Sequence, residues 1–313
     1  MLSMDRTDVE KILLDLDEDA CLFPEFELYK VNNRPQLLGK GGFSVIYEMV
    51  HRRNPKKHYA LKVIGFERHV VTSEQFWDTV RLQYLLCEES PYVMRILDAS
   101  EWLLLLDEDG NLEELRKPQG ERWNEEGLLL QFILMEKLED VIVKDKFKKV
   151  TVTRQQLCQE AGVIQFAMQV GQAIQSAHTY NVLHRDIKLE NIFWDEEEQC
   201  YKLGDFGIAK FVEEGNAETV VYTDGYGAPE IERRLNDYYN ATADIYSFGI
   251  TLYLLLNDLK FPGSEGYYVN FVQYNPEFVF PAPLHASEGM VRIIRKMCQF
   301  YPEDRYKSMD EVL

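Results

Sequence analysis

Residues 184–191 read His-Arg-Asp-Ile-Lys-Leu-Glu-Asn, and this segment constrains the fold and the chemistry of the chain more than any other. It holds a carboxylate, a lysine and an amide at fixed offsets. Asp-Phe-Gly follows at 205–207, and Ala-Pro-Glu follows at 228–230. Each short motif occurs by chance in many proteins, but the three in this order and at these separations are very unlikely to arise together by accident. They supply the carboxylate, the cation and the oxygen ligands that phosphoryl transfer requires.

The three motifs resemble those of eukaryotic-type protein kinases, and the HRDxKxxN form is similar to the serine/threonine branch. The divergent first-helix region further suggests one of the compact bacterial members. The resemblance implies ATP and Mg2+ as cofactors and a protein substrate with a Ser/Thr acceptor. It implies that Asp186 orients the substrate hydroxyl and accepts its proton, while Lys188 steadies the transferred phosphoryl group. Asn191 and Asp205 are the implied metal ligands.

A glycine-rich segment at 39–46 lies ahead of these motifs and resembles the loop that covers nucleotide phosphates. Glycines let the backbone amides approach phosphate oxygens closely, since no Cβ intervenes. Ser44 stands where a third glycine is usual, and its small side chain is expected to be tolerated. In Tyr-Ala-Leu-Lys at 59–62, the resemblance assigns Lys62 to the α- and β-phosphates. The predicted loop contacts are Gly39, Lys40, Gly41, Gly42, Phe43, Ser44 and Ile46.

Residues 135–138 resemble the hinge segment that binds adenine, with Met135 as the gatekeeper. The resemblance implies hydrogen bonds from adenine to the Glu136 carbonyl and from the Leu138 amide to adenine. An apolar slot with few polar contacts suits such a ring. The side chains implied to sandwich it are Ile46, Ala60 and Phe193.

Members of this family carry a glutamate on the first helix, where it orients the lysine that corresponds to Lys62. In this sequence that glutamate has no clear counterpart. Asp78 and Glu74 lie one turn apart on one face of the predicted helix 72–86. Asp78 is the favoured partner, but its side chain is one methylene shorter, so an ion pair would require the helix to move inward. A resting state with this helix displaced and the enzyme inactive stays open.

The segment after Asp205 carries the implied regulatory residues. Thr223 stands where serine/threonine kinases place a threonine against the catalytic aspartate and lysine. Thr219 stands at the usual modified position, and Arg185, beside the catalytic aspartate, could receive a phosphate there. We expect Thr219 autophosphorylation to order this segment, with Tyr222 as the second candidate acceptor.

Other positions match structural supports of the family. Asp244 resembles the buried helix carboxylate that bonds the backbone around His184, and Arg305 resembles the partner of Glu230. His184, stacked with Phe206, is expected to be structural and not a base.

The predicted fold class is α+β, a bilobal protein-kinase-like fold. A small five-stranded antiparallel β lobe with one main helix occupies 31–138, and a larger, mainly helical lobe occupies 139–313. Residues 107–127 are charged and rich in turn-formers, which indicates an enlarged hairpin connection. Residues 1–30 form an acidic extension with a short amphipathic helix, whose apolar stripe either docks on the body of the protein or recruits a partner.

The amino-acid composition excludes some classes of function for this chain. A net charge of -19 argues against nucleic-acid binding, because no basic stripe is present to neutralise phosphates. Five cysteines are scattered without a CxxC pair, which favours a reducing, cytoplasmic compartment. No apolar run approaches the roughly 20 residues that span a bilayer. The oligomeric state is open, and so is a longer protein with a sensor or membrane segment beyond Leu313.

Two other functions stay open at this point. One is a pseudokinase that acts as a nucleotide-binding scaffold, which the missing helix glutamate favours and the intact Lys62, Asp186, Asn191 and Asp205 disfavour. The other is a small-molecule phosphotransferase of the same fold, whose members generally lack the HRDxKxxN loop and the Ala-Pro-Glu segment.

Overall fold

The computed structural model divides the chain into two compact units. One comprises the described residues of Met1–Tyr84 and Arg95–Lys137, and the other those of Leu85–Met94 and Leu138–Leu313. The first unit is built mainly from strands and the second mainly from helices, which confirms the predicted α+β fold class. The structure describes residues 6–18, 22–40, 44–67, 73–100, 102–106, 112–116, 128–144, 149–206, 210–211, 225–232, 240–262 and 275–313.

An antiparallel sheet of eight strands forms the framework of the first unit, three more than the five predicted. One extra strand lies in the predicted extension, one in the predicted insertion, and the apolar run 94–106 forms two strands where one was expected. A separate hairpin, β2–β3, precedes β4. The strands of this unit are β1 Phe26–Leu28, β2 Lys30–Val31, β3 Arg34–Pro35, β4 Leu37–Lys40, β5 Ser44–His51, β6 Asn54–Glu67, β7 Ile96–Ala99, β8 Trp102–Leu106, β9 Leu112–Arg116 and β10 Leu128–Glu136.

The register of the central strands sorts their side chains onto two faces. Ile46 pairs with Lys62 and Glu48 with Ala60 across β5 and β6, and Ala60 in turn pairs with Met135 on β10. Directly paired residues project from the same face of a sheet. These five side chains therefore share one face, which we call the site face.

The opposite face of the sheet is covered by the N-terminal helix α1, Arg6–Glu18. Its residues Val9, Ile12 and Leu13 are buried in one apolar cluster with Tyr47 of β5 and other sheet residues. Of the two alternatives for its apolar stripe, docking on the protein is therefore confirmed. Because α1 and β1 both belong to the first unit, the described residues of 6–28 pack as part of it.

Helix α2, Ser73–Glu89, contacts the site face through Val80, which lies in a cluster with Ile64 and Ile133. The predicted helix ran from 72 to 86, so it begins as expected and continues one turn further.

The second unit contains α3 Glu160–Thr179, α4 Pro229–Glu232, α5 Ala241–Leu255, α6 Glu288–Met297 and α7 Met309–Val312. The two clearest helices expected from the sequence, 161–180 and 243–256, correspond to α3 and α5. Its short strands are β11 Glu139–Asp140, β12 Ile142–Lys144, β13 Val150–Val152, β14 Val182–Leu183, β15 Ile192–Asp195, β16 Cys200–Leu203 and β17 Lys210–Phe211. Among the described helices, none combines the length and the hydropathy needed to cross a membrane.

Helix α5 forms the centre of the second unit. Nearly all of its residues are buried, and the Asn240 side chain caps its first turn by accepting a hydrogen bond from the Thr242 amide at 2.9 Å. Its apolar residues exclude water on all sides, so a carboxylate on this helix must be satisfied by protein groups. Asp244 is that carboxylate, and it is fully buried.

Candidate active site

Asp244 holds the backbone that carries the predicted catalytic residues. Its Oδ2 accepts a hydrogen bond from the His184 amide and its Oδ1 one from the Arg185 amide, both at 2.9 Å. Arg185 adopts a left-handed φ of 72°, so this turn depends on such anchoring. These contacts agree with the role that the sequence assigned to Asp244.

The pKa of the Asp244 carboxyl is lowered despite its position. Burial acts to raise it, but the hydrogen bonds from His178 and from the Arg185 amide outweigh burial. His178, at the end of α3, places Nε2 2.9 Å from Asp244 Oδ2. The sequence analysis did not single out His178, although a histidine closing an apolar helix six residues before His184 was a visible signal.

His184 links the catalytic segment to the Asp-Phe-Gly segment. Its Nδ1 accepts a hydrogen bond from the Asp186 amide at 3.3 Å, so Nε2 carries the hydrogen and donates it to the Gly204 carbonyl at 3.0 Å. Its ring meets Phe206 edge-on, with the ring centroids 4.6 Å apart. Both ring nitrogens are thus occupied by backbone groups, which suits a structural role.

The structure brings Asp186, Lys188 and Asn191 together. Asp186 Oδ2 accepts hydrogen bonds from Lys188 Nζ at 2.6 Å and from Asn191 Nδ2 at 2.9 Å. Asn191 Nδ2 also donates to the Asp186 carbonyl at 2.8 Å. The short 3-10 turn Leu189–Asn191 folds the asparagine back onto the aspartate. The carboxylate is therefore held in one orientation beside a cation.

A backbone hydrogen bond holds the segment that carries Asp205 next to Asn191. The Gly204 amide donates to the Asn191 carbonyl at 2.9 Å, and Asp205 follows with a left-handed φ of 58°. A Cβ on Gly204 would lie 2.7 Å from Met94 Cε and 3.0 Å from Phe193 Cε2, so the absence of a side chain allows this close approach.

The predicted metal ligands suit a hard divalent cation. Because Asn191 commits Nδ2 to Asp186, Oδ1 is the atom that it can offer to a cation. With the Asp205 carboxylate this makes two oxygen donors, the ligand type that Mg2+ prefers. The residues present therefore fit magnesium.

The Ala-Pro-Glu segment is locked to the end of the chain. Arg305 donates to both carboxylate oxygens of Glu230 at 2.7 Å. Its remaining three N–H groups donate to the carbonyls of Thr242, Phe300 and Gln299. All five guanidinium donors are satisfied, as a buried arginine requires.

Four of the predicted nucleotide residues in the first unit lie on the site face. They are Ile46, Ala60, Lys62 and Met135, and of them Ala60 and Met135 are buried. Glu136 ends β10, where its amide donates to the Arg95 carbonyl at 3.2 Å and its Oε1 accepts from the Arg95 amide at 2.8 Å. This exchange fixes Glu136, the residue whose carbonyl the resemblance assigns to adenine.

The other predicted residues fall into two groups. Gly39, Lys40 and Ser44 lie in β4 and β5, while Leu138 and Phe193 belong to the second unit. Several predicted residues lie outside the part of the chain that the structure describes, namely Gly41, Gly42, Phe43, Thr219, Tyr222 and Thr223. The side chains of Glu74 and Asp78 and the larger part of the insertion 107–127 also lie outside it. The partner of Lys62 therefore stays a prediction.

Most of the chain is similar to known proteins. Residues 33–313 match the family model of the protein kinase domain. The chain is 26% identical over 281 residues to serine/threonine-protein kinase dkf-2 of Caenorhabditis briggsae, covering 87% of this chain and 20% of the relative. It is 29% identical over 282 residues to serine/threonine-protein kinase Nek5 of Homo sapiens, covering 88% and 35%.

A third relative, serine/threonine-protein kinase D2 of Homo sapiens, is 34% identical over 146 residues, which is 45% of this chain and 16% of the relative. The chain thus spans about a third or less of the length of these curated relatives.

Proposed function

The chain belongs to the protein kinase family, and on that premise we propose that it transfers the γ-phosphoryl group of ATP to serine or threonine hydroxyls of proteins. The arrangement at Asp186 carries this proposal. A carboxylate oxygen bonded by Lys188 and by the Asn191 amide is positioned to accept a proton beside a cation. The names of the relatives, all serine/threonine kinases, support the acceptor class.

Proton transfer is the first role that these side chains support. The substrate hydroxyl donates a hydrogen bond to Asp186, and its oxygen attacks the γ-phosphorus while the bond to the β-phosphate oxygen breaks. The proton passes to Asp186, and the electron pair of the broken bond leaves on ADP. Lys188, on the same carboxylate oxygen, is the cation that we assign to the charge that develops on the phosphoryl oxygens.

Magnesium would be held by Asn191 Oδ1 and the Asp205 carboxylate. When bound, the ion neutralises phosphate charge and fixes the direction of transfer. The chain keeps both ligands in place through the Gly204–Asn191 backbone contact and the Asn191–Asp186 hydrogen bonds.

The nucleotide is proposed to bind with its adenine on the backbone of Glu136 and Leu138 and its phosphates near Lys62. The site face supplies an apolar roof from Ile46 and Ala60. An apolar slot with backbone donors and acceptors is the usual way to hold a flat heterocycle.

Regulation by autophosphorylation at Thr219 is a further part of the proposal. It rests on the position of Thr219 in the sequence and on Arg185, whose backbone is anchored beside the catalytic aspartate. A phosphate adds negative charge and strong acceptors, which an adjacent arginine can order.

Radiolabelled ATP with magnesium and a generic basic protein tests the proposed function. The wild type is expected to label protein, and Asp186→Asn is expected to lose about 100-fold or more of the rate. Labelling that persists in the variant would overturn the assigned role. Nucleotide binding without transfer to any acceptor would favour a scaffold, and transfer only to small molecules would favour a small-molecule phosphotransferase.

A further inference from the structure

A buried carboxylate on the site face joins strand β5 to the hinge segment. Glu48 is only 5% exposed. Its Oε1 accepts a hydrogen bond from Lys137 Nζ at 2.5 Å and lies 2.6 Å from Nδ1 of His58. A carboxylate can only accept, so this histidine nitrogen carries a hydrogen. Two donors from different parts of the first unit thus converge on a single oxygen.

The backbone of Glu48 is as firmly held as its side chain. Its amide donates to the Gln36 carbonyl at 2.8 Å, and its carbonyl accepts from the Tyr29 amide at 2.9 Å. Ile46 lies two residues earlier in the strand, and Ala60 is the direct partner of Glu48 on β6. The carboxylate is therefore attached to the same pair of strands that carries the apolar roof for adenine.

Lys137 occupies a special place in the chain. It follows Glu136, whose peptide is assigned to adenine, and it is the last residue of the first unit. Arg95 holds Glu136 through two hydrogen bonds, and Glu48 holds Lys137. Two consecutive hinge residues are thus each tied to a different element of the first unit.

Stability alone is a weak reason for this arrangement. A carboxylate on a mostly apolar face pays a desolvation cost that its partners only offset, and an apolar residue of similar volume often stabilises as well. What a buried ion pair supplies is a defined geometry, in this case at the hinge.

We propose that Glu48 is a positioning residue for nucleotide binding, and that it acts through Lys137 to hold the hinge backbone in the conformation that accepts adenine. This inference rests on the proposed function, since it assumes that the hinge binds the nucleotide. His58 bonds the same carboxylate oxygen from β6, outside the hinge segment 135–138, so it offers a matched control on that oxygen.

Calorimetry with Mg-ADP and steady-state kinetics with ATP test this on the intact chain. For Glu48→Gln and for Lys137→Met, we expect the Kd of Mg-ADP and the KM of ATP to rise about tenfold, while kcat at saturating ATP changes less than about twofold. The double variant should be no weaker than the single ones, because both act through one contact. His58→Gln should keep the Kd within about twofold.

Several results would overturn the inference. The inference fails if Glu48→Gln and Lys137→Met both bind Mg-ADP with the Kd of the wild type, even if their melting temperatures fall. Additive effects in the double variant would also overturn it, because they would show that Glu48 does not act through Lys137. If Glu48→Gln fails to fold, Lys137→Met still tests the inference. The lysine side chain is 34% exposed, so its substitution should not prevent folding. A wild type that binds no nucleotide would instead refute the proposed function itself, and this inference with it.

Discussion

Arg305 and Glu230 form a buried pair with two parallel hydrogen bonds of 2.7 Å, although 75 residues separate them in sequence. The guanidinium also lies over the Tyr246 ring, 4.8 Å from its centroid. One side chain thereby joins the Ala-Pro-Glu segment, helix α5 and the chain near its end.

Removing one member of this pair should be strongly destabilising. Arg305→Met leaves the Glu230 carboxylate buried without its cation, and we expect the free energy of unfolding to fall by about 3–5 kcal/mol. Urea denaturation measures it. The double variant Arg305→Met with Glu230→Met should recover part of the loss, and a double variant worse than the sum of the two single ones would contradict a direct pair.

The second prediction concerns pH. The pKa of Asp244 in the folded state is lowered, because the hydrogen bonds from His178 and from the Arg185 amide outweigh burial, which acts to raise it. A carboxyl with a depressed folded-state pKa stabilises the native state above its unfolded value of about 3.9, and that contribution is lost as pH falls through the folded-state pKa.

Asp244→Asn should therefore lower the free energy of unfolding at pH 7 and flatten its decline below about pH 4. Urea titrations from neutral to acidic pH measure this slope. Glu197→Gln on the exposed turn after β15 is the control and should leave the slope nearly unchanged. A variant with the wild-type slope would show that Asp244 does not contribute to acid unfolding.

The third prediction concerns the N-terminal helix. Leu13 is 1% exposed in the apolar cluster beneath the sheet, so Leu13→Ala should cost about 2–5 kcal/mol of unfolding free energy. Lys11→Ala, on the exposed side of the same helix, should change it by less than about 0.5 kcal/mol. Equal effects of the two substitutions would show that α1 does not pack as described.

The sequence predicted the second unit better than the first. The catalytic segment is contiguous, so its chemistry can be read directly from 184–191, and the long apolar period of α3 and α5 is unambiguous. By contrast, residues 94–106 were predicted as one strand, although Asp98, Ser100 and Glu101 interrupt the apolar residues where β7 ends and β8 begins. The helical spacing of Val9, Ile12 and Leu13 shows that a stripe is buried, but not which surface buries it.

Glu48 shows a different limit of sequence reading. In a strand that alternates between two faces, an acidic residue is normally assigned to solvent. Only the convergence of Lys137 from the hinge segment and His58 from β6 shows that this one is buried and paired. Such contacts depend on register and tertiary packing, which no local pattern encodes.

The fourth prediction tests the proposed regulation. After preincubation of the kinase with ATP, Thr219→Ala should phosphorylate a protein substrate at a lower initial rate than the wild type. The variant lacks the phosphate that Arg185 is proposed to bind. Mass spectrometry of the wild type after ATP incubation should find Thr219 modified. Tyr222→Phe is the control for the second candidate acceptor and should keep the wild-type rate. High activity with Thr219 unmodified would contradict the proposal.

The last prediction uses the close packing at Gly204. In Gly204→Ala the new methyl group would lie 2.7 Å from Met94 Cε and 3.0 Å from Phe193 Cε2. The end of a methionine can move aside, whereas the Phe193 ring on β15 is less flexible and would have to shift by a few tenths of an ångström. We expect a destabilisation of about 1–3 kcal/mol and a several-fold weaker affinity for Mg-ADP, because Phe193 is assigned to the adenine slot.

Combining Gly204→Ala with Met94→Ala separates the two contacts. The smaller side chain relieves one clash, so the double variant should be destabilised by less than the two single effects added together. The nucleotide affinity should stay low, since the contact with Phe193 remains. If the double variant instead binds Mg-ADP as tightly as Met94→Ala alone, the packing of Gly204 against Phe193 does not shape the nucleotide site.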